Sequence, residues 1–212
     1  MEILSENLQQ YLENHCEPEP PFLKAINRET HLKVLKPNML SGHYQGRLLS
    51  MLSKMMQPSL ILEIGTFTGY ATICLAEGLS QDGLIHTLEV NQEQEEMLNL
   101  NFGNSGFGHK IRLHFGEALQ LIPTLGLQNI DMVFIDADKK NNYAYFCLVI
   151  DKVRSGGLII IDNVLWKGKV YGTENDADTN SFRELNNLIA KNELVEKLIL
   201  PVRDGILVIR KK

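Results

Sequence analysis

From residue 60 onward the apolar positions come in short, strand-length clusters, at 60–64, 84–90, 111–115, 130–135 and 157–161, with helical periodicity between them. Apolar-rich runs of strand length predict strands buried on both faces, and the periodic stretches predict the crossover helices of a parallel sheet. Those helices are expected over about 71–79, 92–102, 118–123, 140–153 and 180–191. Two final runs, 194–202 and 205–209, are separated only by the turn at Arg203-Asp204 and predict an antiparallel hairpin at the sheet edge. Residues 1–57 hold no strand-like run. Ile3, Leu4, Leu8, Tyr11 and Leu12 recur at helical spacing, and Pro18, Pro20 and Pro21 interrupt that helix. A second helix is expected over 22–35, ending before Pro37, and a third over 42–56 with Leu48, Leu49, Leu52, Met55 and Met56. The expected architecture is one α/β domain over residues 1–212, with a helical cap at 1–57, a core at 58–212 and helices on both faces of the sheet.

Ligands of such sheets bind beyond the carboxyl ends of the strands. The first run, closing on Glu63-Ile64, breaks into a turn with Gly65 and Gly69 before a helix begins. The turn reads G-x-x-x-G where a dinucleotide site would read G-x-G-x-x-G, and Glu63 would repel a pyrophosphate. A cationic or hydroxyl-bearing ligand suits it better. Glu89 closes the second strand 24 residues after Gly65, where a carboxylate can accept bonds from ribose hydroxyls, in a NAD enzyme as well as in others. Asp136 closes the fourth strand and Asp162-Asn163 the fifth. Three oxygen donors without His or Cys suit Mg²⁺, Mn²⁺ or Ca²⁺ and leave positions for water or a chelating substrate; the bland alternative is helix capping. Lys139 is a candidate base. The segment 165–171, with Trp166 and Lys167, is read as a cover over the substrate, although Trp166 fits the core equally well.

E-I-G-T-F-T-G-Y-A at 63–71, D-A-D-K at 136–139 and D-N at 162–163 together resemble the cation-dependent class I O-methyltransferases, the catechol and caffeoyl-CoA O-methyltransferase family. The resemblance spans roughly residues 20–212. It implies a Rossmann-like, seven-stranded methyltransferase sheet and S-adenosylmethionine (SAM) as cofactor. It implies Asp136, Asp162 and Asn163 as metal ligands and Lys139 as base, with Glu63, Gly65, Thr66, Ala71, Glu89, Glu117, Ala118, Asp136 and Asp138 contacting the cofactor. The link Met39-Leu40-Ser41 would pass over the cofactor, a role chemistry alone does not suggest. Ala71, Glu117 and Asn142 stand where many members have Ser, Asp and Tyr. The expected reaction is metal-assisted methylation of a catechol-like hydroxyl (a free catechol, a caffeoyl derivative or a flavonoid) by a homodimeric enzyme.

Composition narrows the partners. A net charge of -5 argues against a general nucleic-acid or membrane surface. A tRNA hydroxyuridine, the acceptor of some relatives, stays as the alternative, because Lys139, Lys140, Lys167, Lys169 and Arg210-Lys211-Lys212 could form a local basic patch. A NAD-dependent dehydrogenase and a non-catalytic cofactor-binding module are weaker alternatives. Cys16, Cys74 and Cys147 are far apart and read as reduced thiols of a cytoplasmic protein. No signal peptide or membrane span is expected, and the six histidines show no metal spacing.

Overall fold

A computed structural model describes residues 5–212, for Glu6 the backbone alone. Ile3 and Leu4, placed above on the first helix, lie outside the described residues, as do Met1 and Glu2 of the amino-terminal reading. Seven strands form one sheet in the order β3-β2-β1-β4-β5-β7-β6. The strands are β1 (Leu60–Ile64), β2 (Leu84–Glu89), β3 (Ile111–Phe115), β4 (Ile130–Ile135), β5 (Val153–Ile161), β6 (Val195–Leu200) and β7 (Ile206–Lys211). β7 is antiparallel to both neighbours, β5 and β6, while the other printed pairings are parallel. The expected edge hairpin is therefore present, with β6 outermost.

The chain divides into two compact units, one of Glu6–Glu117 and one comprising chiefly Ala118–Lys212. In the first, β1, β2 and β3 align in register, Ile64 opposite Leu88 and Glu89 opposite Phe115. Helices α1 (Glu6–Asn14), α2 (Pro21–Lys33), α3 (Gly42–Met56), α4 (Tyr70–Ala76) and α5 (Glu95–Ser105) belong to it. Every residue of α4 is buried. A polar staple joins α3 to the end of α4: Glu77 accepts two bonds from Arg47, at 2.7 and 3.0 Å, one from Ser50 at 2.6 Å and one from Lys54 at 2.8 Å. His86 and His114, on neighbouring strands, stack with ring nitrogens 3.0 Å apart. In the second unit α6 (Ala118–Thr124), α7 (Asn142–Ile150) and α8 (Ala177–Lys191) accompany β4 to β7.

Several boundaries differ from expectation, most by a few residues at an element end, and those with a local cause are these. Pro21 begins α2 instead of ending what precedes it, because at the first helical position its missing N–H costs nothing. That helix stops at Lys33, where Val34 turns extended. Met39 closes a short 3₁₀ turn, Pro37–Met39, where a non-helical link was expected; only Leu40 and Ser41 stand outside regular structure there. The helix expected over 140–153 is α7 alone: Lys139–Asn141 forms a 3₁₀ turn, and β-branched Val153 is drawn into pairing with Ile130 across a bulge. Among the described residues no helix is long and apolar enough to cross a membrane.

Candidate active site

In the first unit, β1 delivers Glu63 and the turn after it. Glu63 is fully buried, and its Oε2 accepts bonds from the hydroxyls of Thr72 on α4 and Thr87 on β2. Thr87 meets Thr66 at 2.5 Å. The carboxylate thus ties strand, neighbouring strand and helix together beneath the glycine turn. Gly65 donates to Leu88 at 3.0 Å, which continues the ladder into the turn. Gly69 has φ +81° at the start of α4, and a Cβ there would lie 2.5 Å from the Phe102 ring, so only glycine fits. Between the glycines Phe67 has φ +52°, and its N–H donates to Glu89 Oε2 at 2.8 Å. Glu89 Oε1 accepts from Val90 at 3.0 Å and Asn91 at 2.8 Å. Three N–H groups hold this nearly buried carboxylate, and a carboxylate has about four acceptor positions.

In the second unit the register Ile135 opposite Ile161 makes Asp136 and Asp162 neighbours at the carboxyl ends of β4 and β5. Asp162 is buried, and its Oδ1 accepts the N–H of Asn163 at 2.6 Å. Asn163 has φ +63°, a conformation Asn tolerates better than most residues. The Lys139 ammonium donates to Asn163 Oδ1 at 2.5 Å and to Asp136 Oδ1 at 3.1 Å. Two of the three candidate ligands already converge on one cation. Their donor set, two carboxylates and an amide oxygen, suits a hard divalent ion. No group of three His, Cys, Asp or Glu side chains is poised for a metal among the described residues; the candidate set here is two Asp and one Asn.

The model of a family described as O-methyltransferase matches residues 13–212. The chain belongs to this O-methyltransferase family. Family membership makes it a SAM-dependent transferase of the catechol and caffeoyl-CoA type. Among relatives, a catechol O-methyltransferase of Mycobacterium tuberculosis is 35% identical over 156 residues, covering 74% of this chain and 71% of that one. Caffeoyl-CoA O-methyltransferase 1 of Arabidopsis thaliana is 34% identical over 224 aligned positions, covering 99% and 86%. Among solved structures, an O-methyltransferase from Bacillus cereus in complex with SAH superposes with a TM-score of 0.88 at 32% identity, covering 97% of each chain.

Other residues named from the sequence of this O-methyltransferase are placed as follows. Met39 is exposed and Ser41 buried. Ala71 is buried in the first turn of α4. Glu117 is exposed, and Ala118 is buried at the start of α6. Both oxygens of Asp138 are engaged locally, one by Tyr145 Oη and one by Asn141 Nδ2 at 2.6 Å, so this side chain frames the start of α7. Trp166 packs on fully buried Phe182 with centroids 5.0 Å apart, and its buried indole N–H finds no acceptor among the described residues. Lys167 is exposed, with its backbone N–H on Asp204. The basic residues do not gather in one place: Arg210 pairs with Leu158 in mid-strand, and Lys211 Nζ reaches the carbonyls of Ile150 and Val153, at the opposite end of β5 from Asp162.

Sequence reasoning passed over Asp204 and Arg183. Asp204 was read only as part of the hairpin turn, and Arg183 fell unremarked within the helix expected over 180–191. Burial raises the Asp204 carboxyl above its usual range, against the pull of the Lys167 N–H and the charges of Lys167, Lys139 and Arg203. Nothing in either residue's sequence neighbourhood signals these contacts.

Proposed function

We propose that this O-methyltransferase transfers the methyl group of SAM to one hydroxyl of a catechol-like acceptor, with a divalent cation such as Mg²⁺, Mn²⁺ or Ca²⁺ held by Asp136, Asp162 and Asn163. The observation that carries the reading is the convergence of Asp136 Oδ1 and Asn163 Oδ1 on the Lys139 ammonium, beside the buried carboxylate of Asp162. When bound, the donor supplies an electrophilic methyl on a sulfonium, and the cation orients two vicinal oxygens and acidifies the hydroxyl. Lys139 takes the acceptor's proton at Nζ, and the resulting oxyanion attacks the methyl carbon as the carbon–sulfur bond breaks and the neutral thioether S-adenosylhomocysteine leaves. Asp136 and Asn163, already bonded to Nζ, hold it in place for that transfer. In the first unit Glu89 offers its remaining acceptor capacity to ribose hydroxyls, and the charge of Glu63 favours a cationic ligand above the turn.

The reading extends to a homodimer and to the cytoplasm. Exposed apolar residues on α2 and α3, Leu32, Met51 and Met55, support self-association. Three free thiols suit a reducing compartment.

The test is methyl transfer from labelled SAM to a panel of small catechols, caffeoyl derivatives and flavonoids, with Mg²⁺ or with EDTA, and with bulk tRNA in parallel. Metal-dependent catechol methylation lost in Asp162→Ala is expected. Label entering tRNA and no catechol, or turnover indifferent to EDTA, overturns the reading.

A further inference from the structure

The segment 163–174 leaves the candidate metal site and has no regular strand or long helix of its own, yet it is held at close intervals. Asn163, Trp166 and Lys167 have φ of +63°, +45° and +55°. Side chains other than glycine keep such backbone only where the surroundings over-determine it. Two sets of contacts do so.

The first comes from α8. The Arg183 guanidinium donates to four carbonyls of the segment: Lys169 at 2.8 Å, Val170 at 2.9 Å, Gly172 at 2.9 Å and Glu174 at 2.5 Å. One turn on, Asn186 donates to Val164 O at 2.9 Å. The second comes from the turn between β6 and β7. The Asp204 carboxylate accepts the N–H of Lys167, its carbonyl accepts Leu165 N–H at 2.9 Å, and Gly205 O accepts Val164 N–H at 3.0 Å. Gly205 has φ +87°, and a Cβ there would lie 2.3 Å from Leu165, so this contact also requires glycine.

We propose that Arg183 and Asp204 are positioning residues that hold 163–174 as a preformed wall of the acceptor site. The inference rests on the metal and catechol reading above. The wall starts at Asn163, so its shape bears directly on the oxygen shared with Lys139. A planar five-donor fork can serve four carbonyls in a way that a single ammonium cannot. The wall is thus built into the fold, and acceptors must fit it as it stands.

The test compares Arg183→Ala, Arg183→Lys, Asp204→Ala and Asp204→Asn with the wild type by hydrogen exchange over 164–174, catechol kinetics, and SAM and Mn²⁺ affinity. Arg183→Ala is expected to speed exchange and to raise the catechol KM about tenfold while kcat stays within about threefold, since misplacing a binding wall costs positioning more than chemistry. SAM affinity stays unchanged. Arg183→Lys behaves like the alanine variant. Asp204→Asn, which keeps an oxygen for the Lys167 N–H, stays near wild type, whereas Asp204→Ala frees the backbone that follows Asn163 at Lys167 and loses about tenfold in Mn²⁺ affinity. Unchanged exchange, or faster exchange with unchanged KM and Mn²⁺ affinity, overturns the inference. If the wild type methylates no catechol, the function reading fails, and the Mn²⁺ affinities of the Asp204 pair decide the inference alone. A wild type that also binds no Mn²⁺ overturns both.

Discussion

The Lys139 ammonium lies 2.5 Å from Asn163 Oδ1, and the same ammonium also bonds Asp136. A lysine proposed as base therefore shares its oxygens with a cation proposed as cofactor. Like charges that compete for the same oxygens work against each other. Lys139→Met is expected to bind Mn²⁺ more tightly, by roughly threefold to tenfold, while kcat falls by about 10²–10⁴ as for loss of a general base. The opposite signs make the prediction sharp. Mn²⁺ titration followed by electron paramagnetic resonance, beside steady-state kinetics, would read both; unchanged kcat rules Lys139 out as the base.

Asp162 contributes differently, since it is buried and bonds the Asn163 N–H. Asp162→Asn keeps an oxygen acceptor there but removes a negative charge from the donor set. Mn²⁺ affinity is expected to fall at least about tenfold in this variant, with SAM affinity unaltered. Calorimetry with each ligand separately checks it, and equal losses of both would point to general unfolding.

Glu89 is the point at which β2 grips the glycine turn, through the Phe67 N–H. Truncation to alanine leaves the Phe67, Val90 and Asn91 N–H groups without this acceptor. Bonds to a charged acceptor contribute about 1.5–3 kcal/mol each, and every 1.4 kcal/mol is about tenfold in affinity. Glu89→Ala is expected to weaken SAM binding more than about tenfold, and Glu89→Gln, with one oxygen left, by less. A SAM titration that shows identical constants for wild type and Glu89→Ala would remove Glu89 from the cofactor site.

The strands were legible because apolar residues are concentrated in short segments that begin and end on them: β1, β3 and β4 begin and end at the residues the pattern marks, although Glu63, Arg112, His114 and Asp131 lie within them. The α7 boundary was not, because the pull of Ile130 on Val153 comes from a partner strand that local periodicity does not contain. The same division runs through the site. Asp136 and Asp162 were visible as acids at strand ends, and their register makes them neighbours. The attachment of Lys167 to Asp204 and of Lys169 to Arg183 was invisible, because each joins backbone to a side chain far along the chain. Glu63 was read for its charge, and its tie to Thr72 and Thr87 needed the fold.

The Arg47–Glu77 pair gives a prediction independent of the site. Both side chains are nearly buried, 7% exposed each, so neither charge has water to fall back on. Removing one partner of such a pair costs about 3–5 kcal/mol, because the other is left buried and uncompensated. Glu77→Ala is therefore expected to destabilise the protein by about 3 kcal/mol, or roughly 6–12 °C in Tm for a chain of this size. The double replacement Arg47→Met with Glu77→Leu, which removes both charges and keeps volume, should recover most of that loss. Acid acts on the same group. Burial alone would raise the Glu77 carboxyl, but the bonds from Arg47, Lys54 and Ser50 outweigh it and leave the carboxyl below its ordinary value of 4.5. A depressed folded-state value means that the stabilisation is complete above that ordinary value and drains away as pH falls through the lower folded one. The wild type should thus lose stability more steeply than Glu77→Gln below about pH 4.5, the two denaturation midpoints drawing together as the solution is acidified. Urea titrations at stepped pH measure this, and parallel curves for the two proteins would remove Glu77 from the acid response.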